Sequence, residues 1–199
     1  MDGDAYGGPM GIDSVLDRLQ GVAPGRLPVV VLVPPDPGSR TAQYDCNPSW
    51  SDFLAMTVVP WINDHYQTAL NPQDRIVGGF SFGALAATCA AVRHPETFGN
   101  VLAQSGSFYR SGGSEEPEAM ARHLAGISRL PIRWSLSIGR LETSAVPSRD
   151  PSMLTATRHL RDVLAAKGYE VQYREFFGGH EHVAWAGLLP DAFVYLLQR

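Results

Sequence analysis

Long apolar runs, excess basic charge and cysteine are all scarce in this sequence of 199 residues, and each scarcity removes a class of function. No apolar run approaches the ~20 residues that cross a bilayer, so no membrane partner is expected. The formal net charge is -4 and the pI is near 5.8, which leaves no basic stripe to neutralise phosphates. Nucleic acid is therefore not expected as a partner, and a small molecule is. The two cysteines, Cys46 in a polar loop and Cys89 in an alanine-rich segment, form neither a disulfide framework nor a zinc spacing. Both are read as free thiols, Cys89 as a small buried residue. No cluster of His, Asp and Glu has ligand spacing, and "HEH" at His180 to His182 is too short for a zincin helix. No metal or cofactor is expected. The opening "MDGDAYGGPMG" has neither the basic nor the apolar region of a leader, so a cytoplasmic location is the expectation.

What is present is an alternation of strands and helices sized for one domain spanning residues 1–199, with an ordinary hydrophobic fraction of 44%. "LPVVVLVPP" (27–35) is a continuous β-branched run of the kind a covered central strand shows. "SWSDFLAMTVVPWINDHY" has near-helical spacing that Pro60 should bend or break. "DRIVGGF" is a short strand, "GALAATCAAVRHP" a helix, "NVLAQSGSF" a strand running into a loop. "SGGSEEPEAMARHLAGIS" is a glycine-rich linker into a short helix. "IRWSLSIG" and "EVQYREF" are strands either side of the amphipathic "SMLTATRHLRDVLAAKG", and "VAWAGLLPDAFVYLLQ" is a final helix. The alternation predicts a three-layer α/β/α sandwich with a mostly parallel sheet, whose chemistry gathers at the carboxyl ends of the strands.

Gly79-Phe80-Ser81-Phe82-Gly83 matches G-x-S-x-G between a short apolar strand and a helix, where that motif has mechanical meaning. The sharp turn exposes the serine hydroxyl at the helix N-terminus, where the backbone N–H of Phe82 can stabilise an oxyanion. The competing reading is a serine that merely caps the helix. As nucleophile, Ser81 needs a histidine base, commonly oriented by a carboxylate that follows the serine and precedes the histidine. His65 precedes the serine, His94 ends its helix, and His123 and His159 fall in helical stretches. His180 follows the last strand after a Gly-Gly turn that can bring its ring back over the sheet edge, with His182 a solvent-facing competitor. Glu142, at a strand's carboxyl end in "RLE", is the candidate acid, and Asp150 the alternative.

With these residues in place the chain resembles the enterochelin esterase (Fes-like) branch of the α/β-hydrolases, within the wider esterase D group. "GGFSFGALAA", "PETFGNVLAQSGSF", "GGHEHVAW" and "DCNPSW" resemble that branch's nucleophile elbow, following strand, G-G-H-D-x-x-x-W histidine loop and C-N-x-x-F/W segment, in the same order. The resemblance implies hydrolysis of carboxylic esters through an acyl-enzyme, in the best-known members of a catecholate siderophore trilactone. It implies Ser81 as nucleophile, His180 as base, Arg40 as a substrate contact and Trp185 as a residue near the histidine loop with a secondary stacking role. Where the branch often has W-R, this chain has Trp185-Ala186. Asp2-Gly3-Asp4 resembles the branch's D-G-x loop, making the Asp4 backbone N–H the second oxyanion donor.

The apolar strand expected before that loop is not in the sequence. The expectation is a carboxyl-terminal portion of a longer polypeptide, or a strand supplied by a second subunit in a homodimer. The siderophore esterases of the two-domain kind also carry an N-terminal domain before the hydrolase. Two other functions fit the same residues: acyl transfer, in which an alcohol replaces water, and non-catalytic binding of a siderophore or partner on an inherited scaffold.

Overall fold

The computed structural model describes residues 1–22, 27–111, 116–144 and 151–197. Five helices come first: α1 (Gly3–Gly7), α2 (Ile12–Val22), α3 (Arg40–Tyr44), α4 (Pro48–Phe53) and α5 (Val59–His65). Strands and helices then alternate as β1 (Ile76–Phe80), α6 (Phe82–Arg93), β2 (Asn100–Gln104), α7 (Ala119–Gly126), β3 (Arg133–Gly139), α8 (Met153–Ala166), β4 (Val171–Phe176) and α9 (His182–Leu197). All pairings are parallel and the order is β1-β2-β3-β4, with Ile76 opposite Asn100, Asn100 opposite Arg133 and Trp134 opposite Val171.

Alternation along the strands divides the core between two faces. Val77, Val101, Ala103, Trp134 and Leu136 join one cluster with α4, α6, α7 and α8, whereas Phe80 and Leu102 join another with α1, α2 and α9. Helices on both faces of a parallel sheet make the expected three-layer sandwich. Helix α6 is buried from Gly83 to Ala91, and its run of alanines lets the backbone lie close to β1 and β2. No helix among the described residues is long and apolar enough to cross a membrane.

Three expectations are corrected. Residues 27–35 form no strand: they run without a ladder partner, and Leu27, Val29, Val31 and Leu32 are exposed. A strand needs a neighbouring edge, and β-branched composition cannot supply one. Pro60 does not break its helix: a π-helical turn at Leu54–Val58 precedes it, in which the Val59 N–H reaches back to the Leu54 carbonyl, and the helix continues past the proline as α5. Finally, Cys46 and Cys89 are not free thiols but a disulfide across a sequence separation of 43. Asn47 explains the approach: its side chain accepts the Ser49 and Trp50 amides and starts α4, which packs along α6 and brings Cys46 to Cys89.

Closing a loop of that length is worth about 4 kcal/mol in the chain-entropy account, and in a reducing compartment the pair would open. Reduction with dithiothreitol, or Cys46→Ser, is expected to lower Tm by roughly 5–15 °C in thermal unfolding followed by circular dichroism. An unchanged Tm would show that the bond carries no stability.

Candidate active site

Ser81 sits between β1 and α6 with φ 56 and ψ -126, a conformation costing a non-glycine residue about 1–3 kcal/mol. Its backbone is held from both sides: its N–H donates to the Gln104 carbonyl at 2.9 Å, and its carbonyl accepts from Ser107, Ala84 and Leu85. The side chain makes no capping hydrogen bond, so Ser81 is not the ordinary helix cap that the motif could also have meant. The two glycines are required by sterics. A methyl at Gly79 would lie 2.6 Å from the Gly83 carbonyl, and one at Gly83 would lie 2.5 Å from the Asp2 carboxylate. Phe82 opens α6, so its amide belongs to the first turn, where backbone donors lack intrahelical acceptors.

The acid and the histidine meet at the carboxyl ends of β3 and β4. His180 Nδ1 lies 2.7 Å from Glu142 Oε2, with the His180 side chain 40% exposed and that of Glu142 4%. Gly139 makes room for this approach, since a methyl there would lie 2.5 Å from the Gly178 carbonyl and 2.9 Å from Glu142. The histidine loop is tied down by the Arg140 and Leu141 amides, which donate to Phe176 and Gly178. The second Glu142 oxygen accepts from the Ser105 hydroxyl at 2.6 Å and the Gly139 amide at 2.9 Å. Burial pushes the Glu142 carboxyl up, but the hydrogen bonds from His180, Ser105 and Gly139 outweigh it and hold the group below the usual carboxylate range. Asp150, the alternative acid, lies outside the described residues.

Aromatic packing joins the two halves. Phe80, next to Ser81, stacks on Trp185 with ring centroids 4.6 Å apart, and His180 meets Trp185 edge-on at 4.8 Å. Trp185 is 1% exposed and its indole N–H donates to Ser105 at 2.9 Å, so the expected stacking on substrate is corrected. With its ring against Phe80 and its N–H occupied, Trp185 supports the histidine loop instead. His182 is likewise half-buried, edge-on to Phe80 and Trp185, not solvent-facing. His65 stacks on Trp61, His94 pairs with Asp52 and Glu96, and His159 pairs with Glu118, all outside this corner.

Arg40, expected as a substrate contact, is partly exposed and pairs with another residue of the chain. It grips Asp2 in a bidentate pair, Nε to Oδ1 at 2.6 Å and an Nη to Oδ2 at 2.8 Å, while the Asp2 amide donates to the Tyr44 hydroxyl. Asp2 is 7% exposed and lies against Gly83, so this pair ties the segment leading to Asp4 to α3 where it crosses the start of α6. The Asp4 amide belongs to the opening turn of α1. Asp2, Ser105 and Tyr44 were missed as site residues. "QSGS" at the end of β2 was a usable signal for Ser105, since loops after strands beside the nucleophile strand line the same rim. Among the described residues no group of three or more His, Cys, Asp or Glu side chains could hold a metal ion.

The parallel sheet, its strand–serine–helix turn and the acid–histidine pair define an α/β-hydrolase fold. Within that class the chain belongs to the family described as "Putative esterase", whose model matches residues 2–196. The iron(III) enterobactin esterase of Dickeya dadantii is 30% identical over 139 residues, 64% of this chain and 30% of that protein. That of Escherichia coli K12 is 28% identical over 166 residues, 82% of this chain and 40% of that protein. The enterobactin esterase of Shigella flexneri, solved in the presence of enterobactin, matches with TM-score 0.85 at 26% identity, covering 99% of this chain and 50% of that one. The chain thus spans about half the length, or less, of these relatives.

Because Glu142 holds its proton more weakly folded than unfolded, its contribution to stability is full above about pH 4.3 and is lost as pH falls through its lower folded value. Urea unfolding of wild type and Glu142→Gln between pH 7 and 3 is expected to show the wild-type advantage shrinking below that point. Parallel curves would mean that the charged carboxylate is not stabilised by its three donors.

Proposed function

We propose that the protein is a serine esterase that cleaves carboxylic esters through an acyl-enzyme. The observation that carries this reading is the strained Ser81, uncapped and flanked by close-packed glycines, whose neighbour Phe80 packs on the same Trp185 ring as His180 of the Glu142–His180 pair. Glu142 accepts from Nδ1 of His180, which leaves Nε2 as the base. Nε2 takes the Ser81 proton as Oγ attacks the ester carbonyl, and returns it to the departing alkoxide. Water then repeats the sequence on the acyl-serine, with Nε2 again taking and giving the proton. The Phe82 amide and the Asp4 amide are assigned to the oxyanion, one from α6 and one from α1.

Arg40 acts through Asp2. A buried carboxylate beside the oxyanion site would oppose negative charge developing there, and the bidentate guanidinium neutralises it while fixing the loop. Arg40 is therefore a positioning residue. For substrate we propose a catecholate siderophore trilactone or one of its linear esters. Support comes from the enterobactin esterases among the relatives and from the resemblance of four segments, and any iron would arrive with the substrate.

Hydrolysis of p-nitrophenyl acetate and butyrate by wild type and Ser81→Ala tests the reaction. The variant is expected to lose at least ~10³-fold in kcat, in line with removal of a serine nucleophile. Equal rates would refute it, and products of a catecholate trilactone followed by mass spectrometry test the substrate. For Arg40, the single changes Arg40→Gln and Asp2→Asn are each expected to cut kcat about tenfold or more, with the double variant no worse than either. A further additive rise in KM from Arg40→Gln in the Asp2→Asn background would instead return Arg40 to substrate contact.

A further inference from the structure

Gln104, the last residue of β2, touches three parts of the proposed site at once. It is 1% exposed, lies opposite Phe80 in the β1–β2 ladder, and follows Leu102 by two residues, which puts it on the sheet face covered by α1, α2 and α9. Its main-chain carbonyl accepts the Ser81 N–H at 2.9 Å. Its side-chain Oε1 accepts from the Tyr6 hydroxyl of α1 at 2.9 Å, and its Nε2 donates to the Trp185 carbonyl of α9 at 2.8 Å. Resting on the ester-cleaving reading above, we infer that Gln104 is a positioning residue of that reaction: it fixes the helix of the Asp4 oxyanion donor and the helix that supports His180 to the backbone of the nucleophile.

A side chain that both accepts and donates is needed at this position. A main-chain carbonyl only accepts, so Nε2 must face Trp185 and Oε1 must face Tyr6, whose hydroxyl then donates. Burial, with the Asp2 carboxylate adding to it, pushes the Tyr6 phenol up and keeps that proton in place. A carboxylate here would oppose the Trp185 carbonyl and enclose a charge. An apolar side chain would leave the Tyr6 hydroxyl without its acceptor inside an apolar cluster.

Each bond reaches an element that the reaction uses. Tyr6 follows Asp4 in the five-residue helix α1, so a shift of the Tyr6 hydroxyl moves the helix whose amide is assigned to the oxyanion. The Tyr6 ring also lies 5.7 Å from that of Phe80, next to Ser81. Trp185 is held at both ends by consecutive residues: its carbonyl by Gln104, and its indole N–H by Ser105, which donates in turn to Glu142. Successive side chains of a regular strand point to opposite faces, and φ 46 at Ser105 ends that alternation. The chain turns there, and residues 104 and 105 both reach Trp185. Because a misplacement of about 1 Å can cost a reaction about 100-fold, a buried amide acting only through its neighbours can set the rate.

Hydrolysis of p-nitrophenyl butyrate by Gln104→Met, Tyr6→Phe and the double variant, each assayed well below its Tm, tests the assignment. Methionine keeps the volume of Gln104 and removes both side-chain bonds, whereas Tyr6→Phe removes one and keeps the ring. Gln104→Met is expected to lower kcat about 10- to 100-fold with KM within about twofold of wild type, and Tyr6→Phe to lower kcat by a smaller factor. The double variant is expected to be no slower than Gln104→Met, because the Tyr6 hydroxyl acts through Gln104. A role in packing alone would lower Tm and leave kcat of the folded protein unchanged, and that result would overturn the inference. So would losses that multiply in the double variant, or a loss carried by KM. Should Gln104→Met fail to fold, Tyr6→Phe decides: a wild-type kcat refutes the inference, and a lower kcat at unchanged KM supports it. Ser81→Ala assayed alongside separates the two readings. Activity equal to wild type there would refute ester cleavage at Ser81 and this inference with it, whereas Ser81-dependent activity that survives in Gln104→Met refutes the inference alone.

Discussion

Three backbone segments meet around Ser81 at separations that only glycine permits, and the rest of the site depends on that meeting. β1 delivers the serine, α6 leaves from it, and the Asp2 loop lies across the first turn of the helix. Gly79 admits the Gly83 carbonyl and Gly83 admits the Asp2 carboxylate. The strain at Ser81, about 1–3 kcal/mol, persists because the hydrogen bonds of its own N–H to Gln104 and its own carbonyl to Ser107, with the packing of α6, hold its backbone in place.

The same close packing explains why the charges enclosed near the site each carry their own partner. Asp2 is enclosed beside Gly83, so it needs a full counter-charge, and Arg40 at the start of α3 provides it. The disulfide then fastens the segment after α3 to α6 itself. On the other rim, Glu142 is enclosed by His180, Ser105 and Gly139, and Ser105 is in turn held by the Trp185 indole. Two buried carboxylates thus flank the serine, one neutralised by an arginine and one kept ionised by hydrogen bonds, and each is fixed by parts of the chain distant in sequence.

How much of this was legible in the sequence follows from how local each signal is. The strand–turn–helix at Ser81, the helix of small residues after it and the sheet strands are encoded by periodicity and glycine spacing over about ten residues, and they read directly. Chain order, the Gly-Gly turn after the last strand and position at a strand's carboxyl end singled out His180 and Glu142, with Asp150 as the alternative acid. The Cys46–Cys89 bond was not legible, since nothing near either cysteine reports that α4 lies on α6. The Arg40–Asp2 grip and the Trp185–Ser105 bond are through-space pairs of the same kind. "LPVVVLVPP" misled in the opposite way: its composition fits a covered strand, and only the arrangement around it decides whether a ladder forms.

The central claim is that Ser81, activated by His180, forms a covalent acyl-enzyme. Trapping the enzyme with a fluorophosphonate and mapping the modified peptide tests it most directly. The account predicts one adduct per chain, on Ser81, with labelling strongly slowed in His180→Ala. An unlabelled protein, or an adduct on another residue, would contradict it.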